Sequence, residues 1–319
     1  MPASPPLPPN IDQAAELLAH GGLVAFPTET VYGLGANALD EIAVERIFAA
    51  KQRPYSSPLI VHVPDSAAAQ RVVSAWPDEA ARLADAFWPG PLTLVLPRRA
   101  EVPDRVTAGG THVGVRAPAH PVAQALLRRA GVPVAAPSAN RFMQLSPTTA
   151  EHVRQGLGDA VDMIVDGGPC PVGIESTVLA LYPQGPVLLR PGGIPKARLE
   201  QVLGRSAALP PESAPGQAHA APGMHPRHYS PNTRTLKLQP GTSLPPGHGA
   251  VVTHRPRAFD PVPDVRMVAM PEDPAGYARM LYAILHDLDA QGLDWIGLDL
   301  PADEDAWQGV RDRLLRAAG

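Results

Sequence analysis

Short apolar runs alternate with stretches of helical periodicity along the first two hundred residues. Residues 23–26, 59–63 and 92–96 are mostly apolar and are bounded by proline or glycine, which is typical of buried strands. Between them, apolar residues recur with the period of a helix, as over residues 40–50 and 77–87. This alternation predicts an α/β domain. Because some predicted strands follow one another without a helix between them, we expect a mixed sheet and not a purely parallel one.

The same two periods extend the prediction to the rest of this region. Helices are predicted over residues 11–20, 65–75, 120–131 and 148–157. Strands are predicted over residues 111–116, 132–136, 163–165, 176–181 and 187–189. Gly33 and Gly35 follow the first strand, and we expect them to form a tight turn.

The composition changes after residue 208. Residues 209–231 are dominated by proline, alanine, glycine and histidine, which is typical of a linker. Beyond it, the order of the predicted elements is that of a small Rossmann-like α/β domain. Its strands are predicted over residues 249–253, 265–269 and 295–300, and its helices over residues 274–291 and 303–318. No GxGxxG follows its first strand, so we predict no dinucleotide site there.

The predicted organisation therefore has four parts. Residues 1–10 form a disordered proline-rich tail, residues 11–208 a large domain, residues 209–233 an interdomain linker, and residues 234–319 a small domain.

Composition excludes several classes of protein. With 45% hydrophobic and 18% charged residues, the 319-residue chain is globular, and its formal charge of −4 provides no global basic field for nucleic acid. A single cysteine excludes an intrachain disulfide and a cysteine-rich zinc site. The amino-terminal residues lack the features of a signal peptide, and no apolar run is long enough to span a bilayer. We therefore expect a cytoplasmic protein.

No P-loop motif is present, so a bound triphosphate would need dispersed cations, hydroxyls and amides. Six motifs occur in a fixed order: KQRP (51–54), PSAN (137–140), SPT (146–148), GIESTV (173–178), LLRPGGI (188–194) and PGMHPRHYSP (222–231). With the stretch GGLVAFPTETVYGLGANA (21–38), they resemble the threonylcarbamoyl-AMP synthase family, and the last motif is typical of its two-domain form. The resemblance implies a twisted mixed sheet with an open concave active site.

The resemblance implies a reaction that joins L-threonine, bicarbonate or carbon dioxide, and ATP into threonylcarbamoyl-AMP with release of pyrophosphate. The product serves the N6-threonylcarbamoyladenosine modification of tRNA, which a separate transferase completes. ATP is then a substrate, and Mg²⁺ is its expected companion. Direct contact with RNA would be weak, and no membrane partner is expected.

Family positions imply the residues of the nucleotide site. Lys51, Arg53, Ser138 and Asn140 match the catalytic set, in which two cations neutralise charge on the α-phosphate while a hydroxyl and an amide orient its oxygens. Other positions that match nucleotide contacts are Thr111, Ser146, Arg190 and Tyr229. Taken singly, each could be a solvated surface residue or part of a polar turn, and Arg190 could also cap the Gly192-Gly193 turn.

The family also implies a seat for threonine, formed by Thr28, His62, Arg116 and Ser176. Arg116 ends a predicted strand and would pair with the amino-acid carboxylate. Without the resemblance, His62 would be a satisfied core histidine.

His228 and Tyr229 lie in the HYSP part of the linker, and the resemblance implies that they fold over the site as a lid. The alternative is a plain spacer. Glu29 and Glu175 have no assigned role.

The chain departs from the family pattern at Phe142-Met143, where Ser-Gly is usual. We expect the loss of glycine to remove a turn with positive φ and to reshape the loop toward Ser146.

Two other functions compete with the synthase. One is a non-catalytic RNA-binding module that uses arginine pairs such as Arg98-Arg99 and Arg128-Arg129. The other is the hydrogenase-maturation enzyme with a similar domain, whose zinc fingers a single cysteine cannot build.

Overall fold

The structure is a computed structural model of the chain and describes residues 7–210, 228–239 and 241–318. The helices of the large domain are α1 (Ile11–Ala19), α2 (Glu41–Lys51), α3 (Ser66–Ala69), α4 (Asp78–Phe87), α5 (Asp104–Thr107), α6 (Pro121–Ala130), α7 (Ala150–Leu157) and α8 (Lys196–Leu203). Its strands are β1 (Val24–Phe26), β2 (Gly33–Asn37), β3 (Ile60–His62), β4 (Leu92–Pro97), β5 (His112–Arg116), β6 (Val134–Ala135), β7 (Met163–Ile164), β8 (Thr177–Tyr182) and β9 (Gly185–Arg190).

Local sequence explains where several helices begin and end. The Asp40 carboxylate accepts hydrogen bonds from the Ile42 and Ala43 amides at the start of α2, and the Thr149 hydroxyl accepts from the His152 amide at the start of α7. These are N-caps that satisfy otherwise unpaired helical donors. Gly131 ends α6 with φ of +65°, the left-handed conformation typical of a helix C-terminus.

The nine strands form one sheet in the order β7-β1-β2-β6-β3-β5-β4-β8-β9. The pairs β1–β7, β3–β5 and β4–β8 are parallel, and the other neighbours are antiparallel. The predicted mixed α/β sheet is therefore confirmed. β1 and β3 are buried at every position, which explains their continuous apolar sequences.

The predicted turn at Gly33 and Gly35 is wrong, because both glycines lie in strand β2, which pairs antiparallel with β1. A Cβ atom on Gly35 would stand 2.8 Å from the Phe26 ring and 2.9 Å from Val134. Glycine is therefore required for the close approach of neighbouring side chains, a use of glycine that sequence alone does not separate from a turn.

The helix predicted over residues 65–75 is present at its start, where Asp65 caps it, but its predicted length is wrong. Helix α3 ends at Ala69, and Val73 then forms an isolated bridge with Arg98. The Ser74 amide donates to the Pro97 carbonyl, so the chain here follows the end of β4. Strand β2 and the helices α5 and α8 were not predicted.

The small domain is a separate layer with a four-stranded parallel sheet. Its elements are β10 (Thr235–Leu238), β11 (Gly249–Thr253), β12 (Val265–Ala269), α9 (Pro274–Asp289), β13 (Trp295–Asp299) and α10 (Gln308–Ala317). The strand order is β10-β13-β11-β12 and every pairing is parallel, as the Rossmann-like prediction requires. Strand β10 was not predicted.

The apolar core of the small domain extends across the contact with the large domain. The apolar cluster of the small domain also contains Val31, Leu145, Ile174 and Tyr229, which come from the large domain and the linker. Of the predicted tail, residues 1–6 lie outside the described part, as do linker residues 211–227. None of the described helices is long and apolar enough to cross a membrane.

Candidate functional site

A cleft lies where strands β3, β5, β8 and β9 meet the PSAN loop and the linker. Its walls bring together Thr28, Arg53, His62, Arg116, Ser138, Ser176, Arg190, His228 and Tyr229. Strand geometry explains part of this grouping. His62 and Arg116 are register partners on the parallel strands β3 and β5, so their side chains lie next to each other.

Arg116 forms one end of the cleft. Its guanidinium is almost completely buried and lies 2.6 Å from the Glu29 carboxylate. It also donates to the Thr30 hydroxyl at 2.9 Å and to the Gly90 carbonyl at 3.2 Å. Although its Nη2 atom is in contact with Glu29, neither atom of that contact has an aligned hydrogen bond within the described residues. Arg116 is thus a cation held in place by Glu29, Thr30 and Gly90 on the wall of the cleft.

His62 lies beside Arg116 as a neutral imidazole. Burial, together with the nearby Arg116 charge, lowers the pKa of His62 to about 3. Its Nδ1 atom is buried and has no hydrogen-bond partner in the described part of the chain. A neutral imidazole that lines a cleft can exchange one hydrogen bond with a bound hydroxyl or amine.

Two hydroxyls complete this end of the cleft. Thr28 donates to the Val31 carbonyl at 2.7 Å and thereby holds the turn that follows β1. The Ser176 hydroxyl lies 2.8 Å from that of Thr93 and accepts from Arg190 at 3.1 Å. Ser176 therefore connects this end of the cleft to the next cation.

Arg53, Ser138 and Arg190 form the other end of the cleft. Arg53 donates to the Pro58 carbonyl at 2.9 Å, and burial lowers its pKa to about 10, so it stays cationic at neutral pH. Arg190 donates to the Ser176 carbonyl at 3.0 and 3.1 Å. Two arginines and a serine hydroxyl at one end of a cleft suit an anion such as a phosphate.

Lys51 and Asn140 are not among the residues that line the cleft. The Lys51 ammonium is buried beneath the PSAN loop and donates to the Ser138 and Asn140 carbonyls. Burial, followed by the Arg53 charge, holds the pKa of Lys51 well below its usual value. The Asn140 amide donates to the Arg141 and Gln144 carbonyls, both at 2.8 Å. Both side chains thus hold the loop that carries Ser138, and a direct contact with phosphate stays a prediction.

Thr111 and Ser146 also lie apart from the main cleft. Thr111 lines a second cleft of about 700 Å³, which shares Ile60 with the first. Ser146 is fully buried and donates to Glu175 at 2.5 Å. The structure therefore places Thr111 beside the main cleft and Ser146 behind it.

The linker covers the cleft with His228 and Tyr229. Tyr229 is buried, and its hydroxyl lies 3.4 Å from Arg190 Nη1. Its φ of +59° is rare for an aromatic residue and requires support from its surroundings. The His228 ring packs edge-on against the Tyr229 ring at 4.1 Å and the Phe142 ring at 5.6 Å.

The expectation that the turn after the PSAN motif would be lost is wrong. Met143 adopts φ of +71° without being glycine, and its carbonyl accepts from the Ser230 amide at 3.0 Å. Phe142 packs against His228, so the two departures from the family pattern both contact the segment that carries His228, Tyr229 and Ser230, and the lid stays a prediction.

Sequence reasoning gave no role to Glu29 and Glu175, and it did not single out Tyr282 or Arg313. All four turn out to be close to the cleft or directly behind it. Glutamate in a loop and arginine in an amphipathic helix are usually exposed. The sequence therefore did not indicate that Glu29 pairs with Arg116 or that Glu175 pairs with Arg313. Among the described residues, no group of three His, Cys, Asp or Glu side chains could hold a metal ion.

The fold and the cleft together define an α/β protein that can hold an anionic nucleotide beside a small amino acid. Comparison with known proteins agrees. The family profile described as telomere recombination (Sua5_yciO_yrdC) matches residues 16–192, and that of the threonylcarbamoyl-AMP synthase C-terminal domain matches residues 194–319. The chain belongs to the threonylcarbamoyl-AMP synthase family, in its two-domain form.

Individual relatives extend this result over the whole chain. The threonylcarbamoyl-AMP synthase of Bacillus subtilis is 40% identical over 98% of this chain and 93% of its own length. That of Pyrococcus abyssi is 48% identical over 71% of this chain and 67% of its own length. The crystal structure of P. abyssi Sua5 complexed with L-threonine superposes with a TM-score of 0.87, at 37% identity, and covers 97% of this chain and 94% of that one. The catalytic interpretation of the sequence is confirmed over the RNA-binding alternative.

Proposed function

We propose that this chain makes L-threonylcarbamoyladenylate from L-threonine, bicarbonate or carbon dioxide, and ATP, with release of pyrophosphate. The observation that carries the proposal is one cleft that is lined both by Arg116 and His62 and by Arg53, Ser138 and Arg190. A reaction between an amino acid and a triphosphate requires the binding groups for both substrates to lie close together, so that the reacting atoms can meet.

The Arg116 end is the proposed seat for threonine. The guanidinium, already fixed by Glu29 and Thr30, pairs with the substrate carboxylate. The neutral His62 and the hydroxyls of Thr28 and Ser176 are placed to bond the substrate hydroxyl and amine. A hydroxyl that is bonded in a buried site gives strong discrimination against valine.

The chemistry takes two steps that need no covalent enzyme intermediate. The threonine nitrogen attacks the carbon of carbon dioxide and loses a proton, which gives a carbamate. A carbamate oxygen then forms a bond to the α-phosphorus while the bond from that phosphorus to the β-phosphate oxygen breaks, and pyrophosphate leaves. Negative charge increases around the α-phosphate, so fixed cations and hydroxyls there lower the barrier.

Arg53, Arg190 and Ser138 supply this environment directly in the proposal. Lys51 and Asn140 keep the PSAN loop in shape through hydrogen bonds to its carbonyls, so that Ser138 stays in place. Thr111 contacts the nucleotide from the adjoining cleft in this proposal. Ser146 does not touch the nucleotide but donates a hydrogen bond to Glu175, which lines the cleft.

His228 and Tyr229 act as the lid. A carbamate is labile in water, so exclusion of water while the second step occurs protects it. The burial of Tyr229 and its contact with Arg190 support this role, because they place the linker directly over the anionic end of the cleft.

Mg²⁺ would be held mainly by the triphosphate. Glu29 and Glu175, the two carboxylates at the cleft, are each paired with an arginine, which leaves few protein ligands. Binding through substrate phosphates is usual for Mg²⁺. The activated group would pass to a separate transferase that modifies tRNA.

Measurement of pyrophosphate release tests the proposal. The protein is incubated with ATP, Mg²⁺, threonine and bicarbonate, and each of the last two is omitted in turn. We expect pyrophosphate only when both are present. Release that is equal without threonine would show a plain ATP hydrolase and would overturn the proposal.

A further inference from the structure

The small domain packs directly onto the wall of the cleft. Gly173, at the start of the ESTV segment, has φ of +83°, and a Cβ atom there would stand 2.4 Å from the Ala278 carbonyl of α9. A Cβ atom on Gly309 of α10 would stand 2.4 Å from the Gly192 carbonyl. Backbone meets backbone at both points, so the position of the small domain fixes the two segments that flank Ser176 and Arg190.

Between these two contacts, the small domain delivers two polar side chains to Glu175. Arg313 of α10 is completely buried and donates from Nε to the Glu175 carboxylate at 2.5 Å. Tyr282 of α9 donates to the same carboxylate at 3.0 Å. Together with Ser146, they satisfy a carboxylate that lines the cleft and is 6% exposed.

This carboxylate lines the cleft close enough to interact with Arg190, which we assign to the triphosphate. Burial alone would raise the pKa of Glu175, but Arg313, followed by Arg190, holds it below its usual value, so Glu175 is ionised at neutral pH. A negative charge near phosphates weakens their binding unless another charge compensates it. Arg313 provides that compensation from a place where it cannot touch the ligand.

We propose that Arg313 is a positioning residue through which the small domain enables ATP binding: it neutralises Glu175 and thereby keeps Arg190 in its contacts with Ser176 and Tyr229, on the wall of the cleft. Without Arg313, Glu175 would attract Arg190 into its own ion pair. Ser146 and Ser176 would then lose their present partners as well, since both are bonded within the same network. This inference rests on the proposed function.

Arg313 has a second contact that fits this role. Its guanidinium carbon lies 5.2 Å from the centre of the Tyr229 ring, so the same side chain supports the lid from behind. Loss of Arg313 would thus loosen the lid and misplace Arg190 at the same time.

The test measures the dissociation constants of ATP and of threonine by calorimetry for four proteins: the wild type, Arg313→Gln, Glu175→Gln with Arg313→Gln, and Arg311→Gln. Arg311 is on the same helix, but its side chain bonds to Pro301 and Asp303, away from the cleft. Near-UV circular dichroism and the melting temperature confirm that each variant is folded.

For Arg313→Gln we expect at least about a tenfold loss of ATP affinity at about pH 8, because a buried carboxylate is left uncompensated. Threonine affinity should change by less than about threefold, since Arg116 and Glu29 are untouched. The double variant should recover ATP affinity to within about threefold of the wild type, because it removes the charge as well as its partner. Arg311→Gln should match the wild type.

The pH dependence of ATP affinity provides a second test, because a purely structural role of Arg313 would not alter it. The charged and titratable groups around Glu175 are Arg190 on β9, Tyr229 in the linker, Tyr282 on α9, and Asp312 and Arg313 on α10. Without Arg313, the pKa of Glu175 should rise, so lowering the pH protonates it and removes the competing charge. The ratio of variant to wild-type ATP affinity should therefore improve from about pH 8 to about pH 6, and the double variant should show no such trend.

Two results would overturn the inference. One is a double variant as defective as Arg313→Gln. The other is an equal loss of ATP and threonine affinity that does not depend on pH. A wild type that binds no ATP would overturn the proposed function itself, which is a different outcome from a defect confined to these variants.

Discussion

Two buried glutamate–arginine pairs border the cleft and face it in opposite ways. Arg116 and Glu29, 2.6 Å apart, both come from the large domain, and it is the cation that lines the cleft. Glu175 and Arg313, 2.5 Å apart, join the two domains, and it is the carboxylate that lines the cleft. In the proposed function, the first pair places the positive charge of Arg116 next to the threonine carboxylate. In the second pair, Arg313 compensates the negative charge of Glu175, which would otherwise repel the triphosphate.

This difference assigns separate tasks to the two domains. A buried ion pair contributes little net stability compared with apolar packing, so its presence in a wall is better explained by what it offers the ligand. In the proposed function, the large domain carries the groups that contact the substrates, and Arg313 of the small domain compensates the charge of Glu175 behind them.

The largest effect is expected when the first pair is broken by Arg116→Leu. The change removes the proposed partner of the threonine carboxylate and leaves Glu29 buried without its cation. We expect a loss of about 3–5 kcal/mol in the free energy of unfolding and at least about a hundredfold weaker threonine binding. Denaturant unfolding and calorimetry measure the two quantities.

Arg129→Leu is the matched control, since Arg129 forms an exposed pair with Asp12. Its unfolding free energy should change by less than about 1 kcal/mol. Unchanged threonine binding in the folded Arg116→Leu variant would remove Arg116 from the amino-acid seat.

The lid over the second pair gives the next largest effect. Tyr229→Ala removes the ring that covers Arg190 and packs near Arg313. We expect the yield of threonylcarbamoyladenylate to fall by about a hundredfold while ATP affinity changes less, because the ring protects the carbamate more than it binds the nucleotide. Product measured by liquid chromatography, together with ATP calorimetry, separates the two effects.

Tyr229→Phe retains the ring and loses only the hydroxyl contact of 3.4 Å with Arg190. It should keep most of the activity. A Tyr229→Ala variant whose yield and ATP affinity fall in parallel would argue for a simple binding residue in place of a lid.

His62, next to the first pair, predicts a specific dependence of stability on pH. Its pKa of about 3 in the folded protein lies below the ordinary value of 6.5, so only the unfolded chain takes up the proton between these values. The contribution of this histidine to stability is complete above about pH 6.5 and decreases by about 1.4 kcal/mol for each pH unit below it, until about pH 3.

His62→Gln should therefore lose about 2 kcal/mol less stability than the wild type between about pH 7 and pH 5. Denaturant unfolding at the two pH values measures this difference, and His20→Gln, at an exposed position, serves as the control. Equal acid sensitivity in His62→Gln and the wild type would show that the imidazole is not held neutral.

The smallest effect concerns the support beneath the lid. Met143 adopts φ of +71°, which is strained for any residue with a side chain. Met143→Gly should raise the free energy of unfolding by about 0.5–1 kcal/mol, and its product yield should stay unchanged. A destabilised variant would mean that the exposed methionine side chain contributes packing that outweighs the strain.

The sequence predicted the mixed sheet, the small Rossmann-like domain and several of the residues that line the cleft, whereas Lys51, Thr111, Asn140 and Ser146, predicted with them, do not line it. Those predictions depended on continuous apolar runs and on motifs with a fixed order, both of which are local. It failed where spatial neighbours decide the structure. Gly35 looks like a turn residue in the sequence, but it lies in a strand where the Phe26 ring leaves no room for a side chain. Residues 70–75 continue a helical pattern in the sequence, but in the structure Val73 forms a bridge with Arg98.

The sequence did not predict the Glu175–Arg313 ion pair either, because that pair also depends on which residues are neighbours in space. Arg313 shares helix α10 with Arg311 and Arg316, and all three read as solvated arginines on an amphipathic helix. Only the contact of α10 with the Gly192 turn shows that one of them is buried against Glu175. A motif can also predict a contact other than those that its side chains make in the structure. The motifs of Lys51 and Asn140 predict a contact with phosphate, whereas their side chains bond to carbonyls of the loop.

Isotopic labelling of the product tests most directly the claim that one cleft joins an amino acid to a nucleotide. The wild type is incubated with ATP, Mg²⁺, threonine and ¹³C-bicarbonate, and the adenylate is examined by mass spectrometry. The account predicts an adenylate that contains both threonine and the ¹³C label, formed in proportion to pyrophosphate. An adenylate without the label, or pyrophosphate with no threonine-containing adenylate, would contradict it.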